Sequence, residues 1–184
     1  MGSVMLRWVW LLLALCGPAV AQDDVLALLR APGAVGIMRH ARAPGTGDPP
    51  NFQPGQCATQ RNLDEAGREQ ARQIGARLRA AGVAAPVFAS EWCRTRETAD
   101  LLGLGPAQPL PVLNSFFGDR GAEQAQTAAV QAFIAQLDGP VVLVTHQVNI
   151  TALTGVFPAD GEMVVLRSGP GGYAVAGRVM PPRP

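Results

Sequence analysis

From residue 34 onward the chain alternates between two kinds of hydrophobic spacing. Ala34, Val35, Gly36, Ile37 and Met38 form a short apolar run behind a Pro32-Gly33 turn, which predicts a buried strand. Residues 42–61 then lose all period. Pro stands at 44, 49, 50 and 54 and Gly at 45, 47 and 55, so one long irregular loop is expected there. Asn62 and Glu65 resemble a capping box, with Asn62 as N-cap. Leu63, Ala66, Ala71, Ile74, Leu78 and Ala81 then recur at helical spacing until Gly82 ends the run.

Residues 86–89 predict a second strand, 92–102 a second helix, 110–113 another strand and 123–137 a third helix stopped by Asp138-Gly139-Pro140. Val141-Val142-Leu143-Val144 has no polar alternation, as a strand buried on both faces of a parallel sheet requires. A short helix over 148–154 follows. Two late strands, 163–167 and 173–179, read as antiparallel across a turn at 169–172. Strands alternating with helices predict a single α/β domain.

Residues 1–21 follow a different logic. Arg7 precedes an apolar run from Trp8 to Leu15, and the stretch closes on Ala19-Val20-Ala21. That order is expected of a secretory signal peptide cleaved before Gln22, leaving residues 22–184 as the mature domain in the periplasm or medium. The apolar run is shorter than the ~20 residues of a membrane span, so no stable membrane insertion is expected after cleavage. Cys57 and Cys93 then remain in an oxidising compartment, where a disulfide and two separate thiols are both open readings.

Composition narrows the chemistry. All 15 basic residues are Arg, there are two His and three Cys, and the formal net charge is +1. A near-neutral chain lacks the basic face expected of a nucleic-acid binder. Two His and three Cys leave little for a zinc site, so neither a metal nor another cofactor is expected. Without Lys there is no Schiff-base chemistry and no Walker-type lysine. Both His fall just after a predicted strand: His40 after the first, His146 after the apolar run at 141–144. The carboxyl ends of parallel strands are the functional edge of an open α/β sheet. Arg39 adjoins His40, and Ser90 and Arg94 follow the strand at 86–89. Brought together, two guanidinium forks and two imidazoles suit a phosphoryl group. Arg binds phosphate oxygens bidentately, and its charge disfavours imidazolium, leaving a His free to attack.

These residues resemble a known family. Met38-Arg39-His40-Ala41 is similar to the Arg-His-Gly signature of the histidine phosphatase superfamily (phosphoglycerate mutase-like, branch 1), with Ala for Gly. Leu63 to Ala71 resembles its Leu-x-x-x-Gly-x-x-Gln-Ala helix, and Ser90 to Ala99 its Ser-x-x-x-Arg-x-x-x-Thr-Ala segment. Val144-Thr145-His146-Gln147 resembles its second-His motif, with Gln where many members have Gly. The resemblance implies a three-layer α/β sandwich with a mostly parallel central sheet. It also implies a metal-independent phosphatase acting on a phosphomonoester or related phosphoryl compound. His40 would form a phosphohistidine, with Arg39, Arg94 and His146 on the phosphoryl oxygens. The Cys57 to Leu63 stretch resembles short exported members. On that basis Arg61 is a further phosphate contact or a structural salt bridge, and a Cys57–Cys93 link would pin the loop beside the site.

One departure bears on activity. Many members carry a Glu acid in a Leu-x-Glu element, and here Leu113-Asn114-Ser115 puts Ser115 at the Glu position. Asp119 is the first candidate for proton donor, with Asp48 and Glu162 as alternatives. The expected partner is a small phosphorylated substrate, and the sequence carries no signal of oligomeric state. The rival reading is a phosphate-ligand binding protein of the same fold without efficient turnover.

Overall fold

A computed structural model describes residues 22–169 and 172–182. The expected signal peptide lies outside the described residues. The six strands are β1 (Val35–Arg39), β2 (Val87–Ala89), β3 (Gln108–Pro109), β4 (Val141–Thr145), β5 (Met163–Gly169) and β6 (Gly172–Val179), and they form one sheet in the order β3-β2-β4-β1-β5-β6. β1, β2, β3 and β4 run parallel, whereas β5 is antiparallel to β1 and to β6.

The period of two along the strands sends alternate residues into two cores. On one face Met38, Val87, Ala89, Val142, Val144, Met163 and Val165 pack with Ile74, Leu78, Ala99 and Leu102. Those last four come from α2 (Glu65–Ala80) and α3 (Cys93–Leu102). On the other, Val35, Ile37, Val141, Leu143, Val164 and Leu166 meet Val130, Ile134 and Ile150. The helices there are α4 (Glu123–Ile134) and α5 (Gln147–Thr154). The result is the α/β domain expected from the alternation, in the three-layer form with a mostly parallel sheet that the resemblance implies.

Three local expectations are corrected. The helix α2 is capped by Asp64, not Asn62: the Asp64 Oδ1 accepts from the Gly67 amide at 2.8 Å, while its Oδ2 pairs with Arg42 Nε at 3.1 Å. The Asn62 amide instead turns back to the carbonyls of Cys57 and Gln60. Residues 110–113 are not a strand; Pro111–Leu113 is a 3-10 turn, and the edge strand is the two-residue β3 just before it. Pro109 and Pro111 have no amide hydrogen, so they cannot continue a ladder there. No element was expected before residue 34, yet a short helix, α1 (Gln22–Ala27), and the turn after it bring Val25, Leu26 and Leu29 into the first core.

Two glycines fix how the helices approach. A Cβ on Gly67 would lie 2.0 Å from the Arg42 carbonyl oxygen, and one on Gly75 would lie 2.1 Å from that of Leu102. Only glycine lets α2 press against the loop after β1 and against the end of α3.

Candidate active site

Sheet register assembles the site. In the parallel pairs, Arg39 lies opposite Thr145 and Ala89 opposite Val144. The next residues of the three central strands, His40, His146 and Ser90, therefore emerge side by side. His40 N donates to the Thr145 carbonyl at 3.0 Å, and Ser90 N donates to the Val144 carbonyl at 3.1 Å. The two imidazole rings stand 5.6 Å apart, edge to face. With Arg39, Arg61 and Arg94 they line a cavity of about 250 Å³, along with Gly45, Gly47, Asp48, Ser115, Gln147, Phe117 and Phe157.

Each ring has a defined tautomer. His40 Nδ1 lies 2.8 Å from the Ala41 carbonyl oxygen. A carbonyl only accepts, so Nδ1 carries the hydrogen and Nε2 keeps its lone pair. At His146, Arg94 Nη2 donates to Nδ1 at 3.4 Å, so Nε2–H donates to Ser90 Oγ at 2.8 Å. Both rings are almost fully buried. Burial and then the Arg94 charge hold both well below the ordinary histidine pKa; the Ala41 bond opposes this at His40, and the neighbouring His40 adds to it at His146. Both rings are therefore neutral near pH 7.

The motif residues hold this arrangement from behind. Thr98 Oγ1 accepts from the Ala41 amide at 3.0 Å and donates to the Arg94 carbonyl at 2.7 Å, joining α3 to the residue after His40. Gln70 Oε1 accepts from Arg42 N at 2.9 Å, and its Nε2 donates to the Asp160 carbonyl at 3.3 Å. Ala41 is fully buried and packs with Ala43, Leu63 and Ala71. The helix α5 opens on His146 with no side-chain cap, so the positive end of its dipole adds to the cavity's preference for an anion.

The arginines are engaged in different ways. Arg39 Nη2 pairs with Asp160 at 2.7 Å, and its Nη1 donates to the Pro158 carbonyl at 3.1 Å. Arg61 grips its own loop: Nε donates to the Gly47 carbonyl at 2.9 Å and Nη1 to that of Ala43. It therefore shapes the cavity wall through backbone carbonyls, and the salt bridge open in the sequence reading is not its bond. Arg94 is 3% exposed and faces the Asp48 carboxylate, Nη1 to Oδ1 at 2.7 Å and Nη2 to Oδ2 at 3.1 Å. The Nε atoms of Arg39 and Arg94 are buried without a partner.

Of the three acid candidates, only Asp48 lines the cavity. Asp119 caps the turn Arg120–Ala122, accepting from the Gly121 amide, and the structure does not bring it to the cavity. Glu162 is buried elsewhere, held by Arg178 Nε at 2.5 Å and the Ala159 amide at 2.8 Å. Ser115 does line the cavity, so the wall where a Glu was expected carries a hydroxyl. Phe117 and Phe157 sit at the mouth, 53% and 70% exposed. Phe116, next to Phe117 in the chain, is buried. No pattern in the sequence marks Phe157 or Asp160, whereas Gln147 lines the cavity from the second-His motif.

A Cys57–Cys93 disulfide, Cα atoms 5.6 Å apart, ties the long loop to the start of α3. Beside it Trp92 stacks on Phe52 at 5.0 Å, meets His146 edge to face at 5.4 Å and donates Nε1–H to Asp48 Oδ2 at 3.0 Å. Among the described residues no group of three or more His, Cys, Asp or Glu could hold a metal ion.

Residues 35–116 match the histidine phosphatase superfamily (branch 1). No curated protein matches the chain. Among solved structures, the protein histidine phosphatase SixA complexed with tungstate is similar at a TM-score of 0.60 and 18% identity, over 80% of this chain and 96% of that one. Mycobacterial hydrolase 1 is similar at 0.58 and 17%, over 81% and 99%. A Thermus thermophilus protein is similar at 0.56 and 20%, over 80% and 99%. At these identities the likeness is one of fold.

Proposed function

We propose that the chain, whose residues 35–116 match the histidine phosphatase superfamily (branch 1), is a phosphatase that works through a phosphohistidine on His40. The carrying observation is the His40 ring itself. Its Nδ1–H is spent on the Ala41 carbonyl, so the Nε2 lone pair belongs to a neutral imidazole beside the buried Arg94 and the half-buried Arg39. Attack of Nε2 on phosphorus, with loss of the ester oxygen, gives the phosphoenzyme. Attack of water on that phosphorus returns free His40 and phosphate. Arg39, Arg94 and the α5 N-terminus supply positive charge for the equatorial oxygens, as phosphoryl transfer requires. His146, fixed by Ser90, stands beside them. The substrate class is a small phosphomonoester or related phosphoryl compound. The tungstate held by a protein of this fold is a tetrahedral oxyanion, as phosphate is.

One observation favours a second reading. Ser115 offers no carboxyl, and Asp48 is bound into the Arg94 fork, as in a protein that binds a phosphate ligand without efficient turnover. Purified residues 22–184 with a chelator decide between them. Hydrolysis of p-nitrophenyl phosphate, inhibition by vanadate and its loss in His40→Ala support the phosphatase; phosphate binding without hydrolysis supports the rival.

Export is part of the proposal. The pattern of residues 1–21 supports it, as does a disulfide of the kind that persists in oxidising compartments. A mature protein that begins at Gln22 in the periplasmic fraction is the expected result, and a cytosolic protein that keeps Met1 would refute it.

A further inference from the structure

Every Nη hydrogen of Arg94 is already taken. Nη1 donates to Asp48 Oδ1 at 2.7 Å and to the Arg61 carbonyl at 3.3 Å; Nη2 donates to Asp48 Oδ2 at 3.1 Å and to His146 Nδ1 at 3.4 Å. A phosphoryl group that uses this fork must take the place of one of those acceptors. The Arg61 carbonyl is fixed by backbone, and His146 is held by Ser90. The Asp48 carboxylate is the acceptor on a loop, between Gly47, at φ +71°, and the prolines at 49 and 50. Its two oxygens span the fork as two phosphoryl oxygens would.

We propose that Asp48 is the proton donor to the leaving group, displaced from Arg94 by the substrate's phosphoryl oxygens and protonated as a result. This rests on the phosphatase reading and names a residue for its missing acid. In the free protein the carboxylate is ionised. Burial works against this, but the Arg94 bond and charge, the Arg61 amide and the Trp92 indole outweigh it. The groups that face it are the guanidiniums of Arg94 and Arg61 and the Trp92 N–H, with His146 across Arg94; no second carboxylate lines the cavity among the described residues. Once a phosphoryl dianion occupies the fork, Asp48 has lost its strongest partner and gained a like charge next to it. Both changes favour the carboxylic acid. In the first step the His40 Nε2–P bond forms, the P–O bond to the leaving group breaks, and the Asp48 proton passes to the departing oxygen. In the second, the Asp48 carboxylate takes a proton from the attacking water, which restores the acid. Ser115, which also lines the cavity, then has no protonating role to fill.

The scheme is tested with two esters and one inert dianion. Protonating a leaving group is worth about 10²–10⁴-fold for a basic alkoxide and much less for an acidic phenol. Asp48→Asn should therefore lose at least about ten-fold more kcat/KM on glycerol 2-phosphate than on p-nitrophenyl phosphate. Asp48→Glu, which keeps the carboxyl, should recover part of the glycerol ester activity. Equal losses on both esters overturn the donor role and leave the phosphatase reading standing. A wild-type protein that binds anions but hydrolyses neither ester refutes both. The exchange at Arg94 has its own readout, calorimetry of sulfate binding at pH 7 in two buffers of different ionisation heat. Wild type should take up close to one more proton per sulfate than Asp48→Asn, whether or not either turns over. Equal uptake by the two proteins overturns the exchange.

Discussion

Two neutral, buried histidines make stability depend on pH in a way that can be worked out in advance. In the folded chain both pKa values lie well below 6.5, because burial and Arg94 oppose the imidazolium. In the unfolded chain each ring titrates near its ordinary value of ~6.5. Below that pH the unfolded state binds more protons than the folded one, so stability falls as pH drops and levels off above ~6.5. For a ring that stays neutral in the fold, the loss between pH 7.5 and 5.5 is about 1.4 kcal/mol, or about 2.7 kcal/mol for the pair. That is a large share of the 5–15 kcal/mol typical of a domain. Urea unfolding of residues 22–184, disulfide intact and in phosphate-free buffer, measures it at the two pH values. The slope with urea should stay constant while the midpoint falls. A stability change under about 1 kcal/mol, or a histidine ring proton titrating near 6.5 in the folded protein by NMR, would refute the neutral state assigned to the two buried rings.

Other outcomes follow from the same structure. The Cys57–Cys93 bond closes a loop with a sequence separation of 36, so its removal in Cys57→Ser/Cys93→Ser should cost about 4 kcal/mol by chain entropy, read by chemical denaturation. Gly67→Ala places a methyl 2.0 Å from the Arg42 carbonyl oxygen; it should destabilise by roughly 1–3 kcal/mol and lower kcat by shifting the residues after His40. Phe157→Ala removes the more exposed ring at the mouth and should raise KM for p-nitrophenyl phosphate about two- to ten-fold, with vanadate inhibition little changed.

The parts of the fold carried by local patterns were legible in the sequence. The apolar runs of β1 and β4 and the helical period of α2 are one-dimensional signals, and they placed His40 and His146 on adjacent strand ends. The motif glycine and glutamine of α2 also have local sequence meaning, although their reason is tertiary: Gly67 admits the Arg42 carbonyl, and Gln70 bonds across to Asp160. What stayed hidden depends on contacts between distant residues. Asp48 reads as a loop acid until Arg94, 46 residues away, is seen to hold it. Asp119 looks close to the Ser115 wall in sequence but caps the next turn. Asp160 gave no sign of pairing with Arg39, since 121 residues separate them and no period links them. The helix start slipped by two residues because Asn62 and Asp64 are both good caps, and Arg42 and Gly67 select Asp64.

The central claim is that His40 Nε2 becomes covalently phosphorylated. Residues 22–184 mixed with a phosphomonoester and quenched in alkali within milliseconds provide the direct measurement, read by mass spectrometry of the peptide that contains Arg39-His40-Ala41. The account predicts a phosphoryl group on His40 that is stable to alkali and lost in acid, present in wild type and absent in His40→Ala. A wild-type enzyme that turns over substrate with no phosphate on His40 would contradict it.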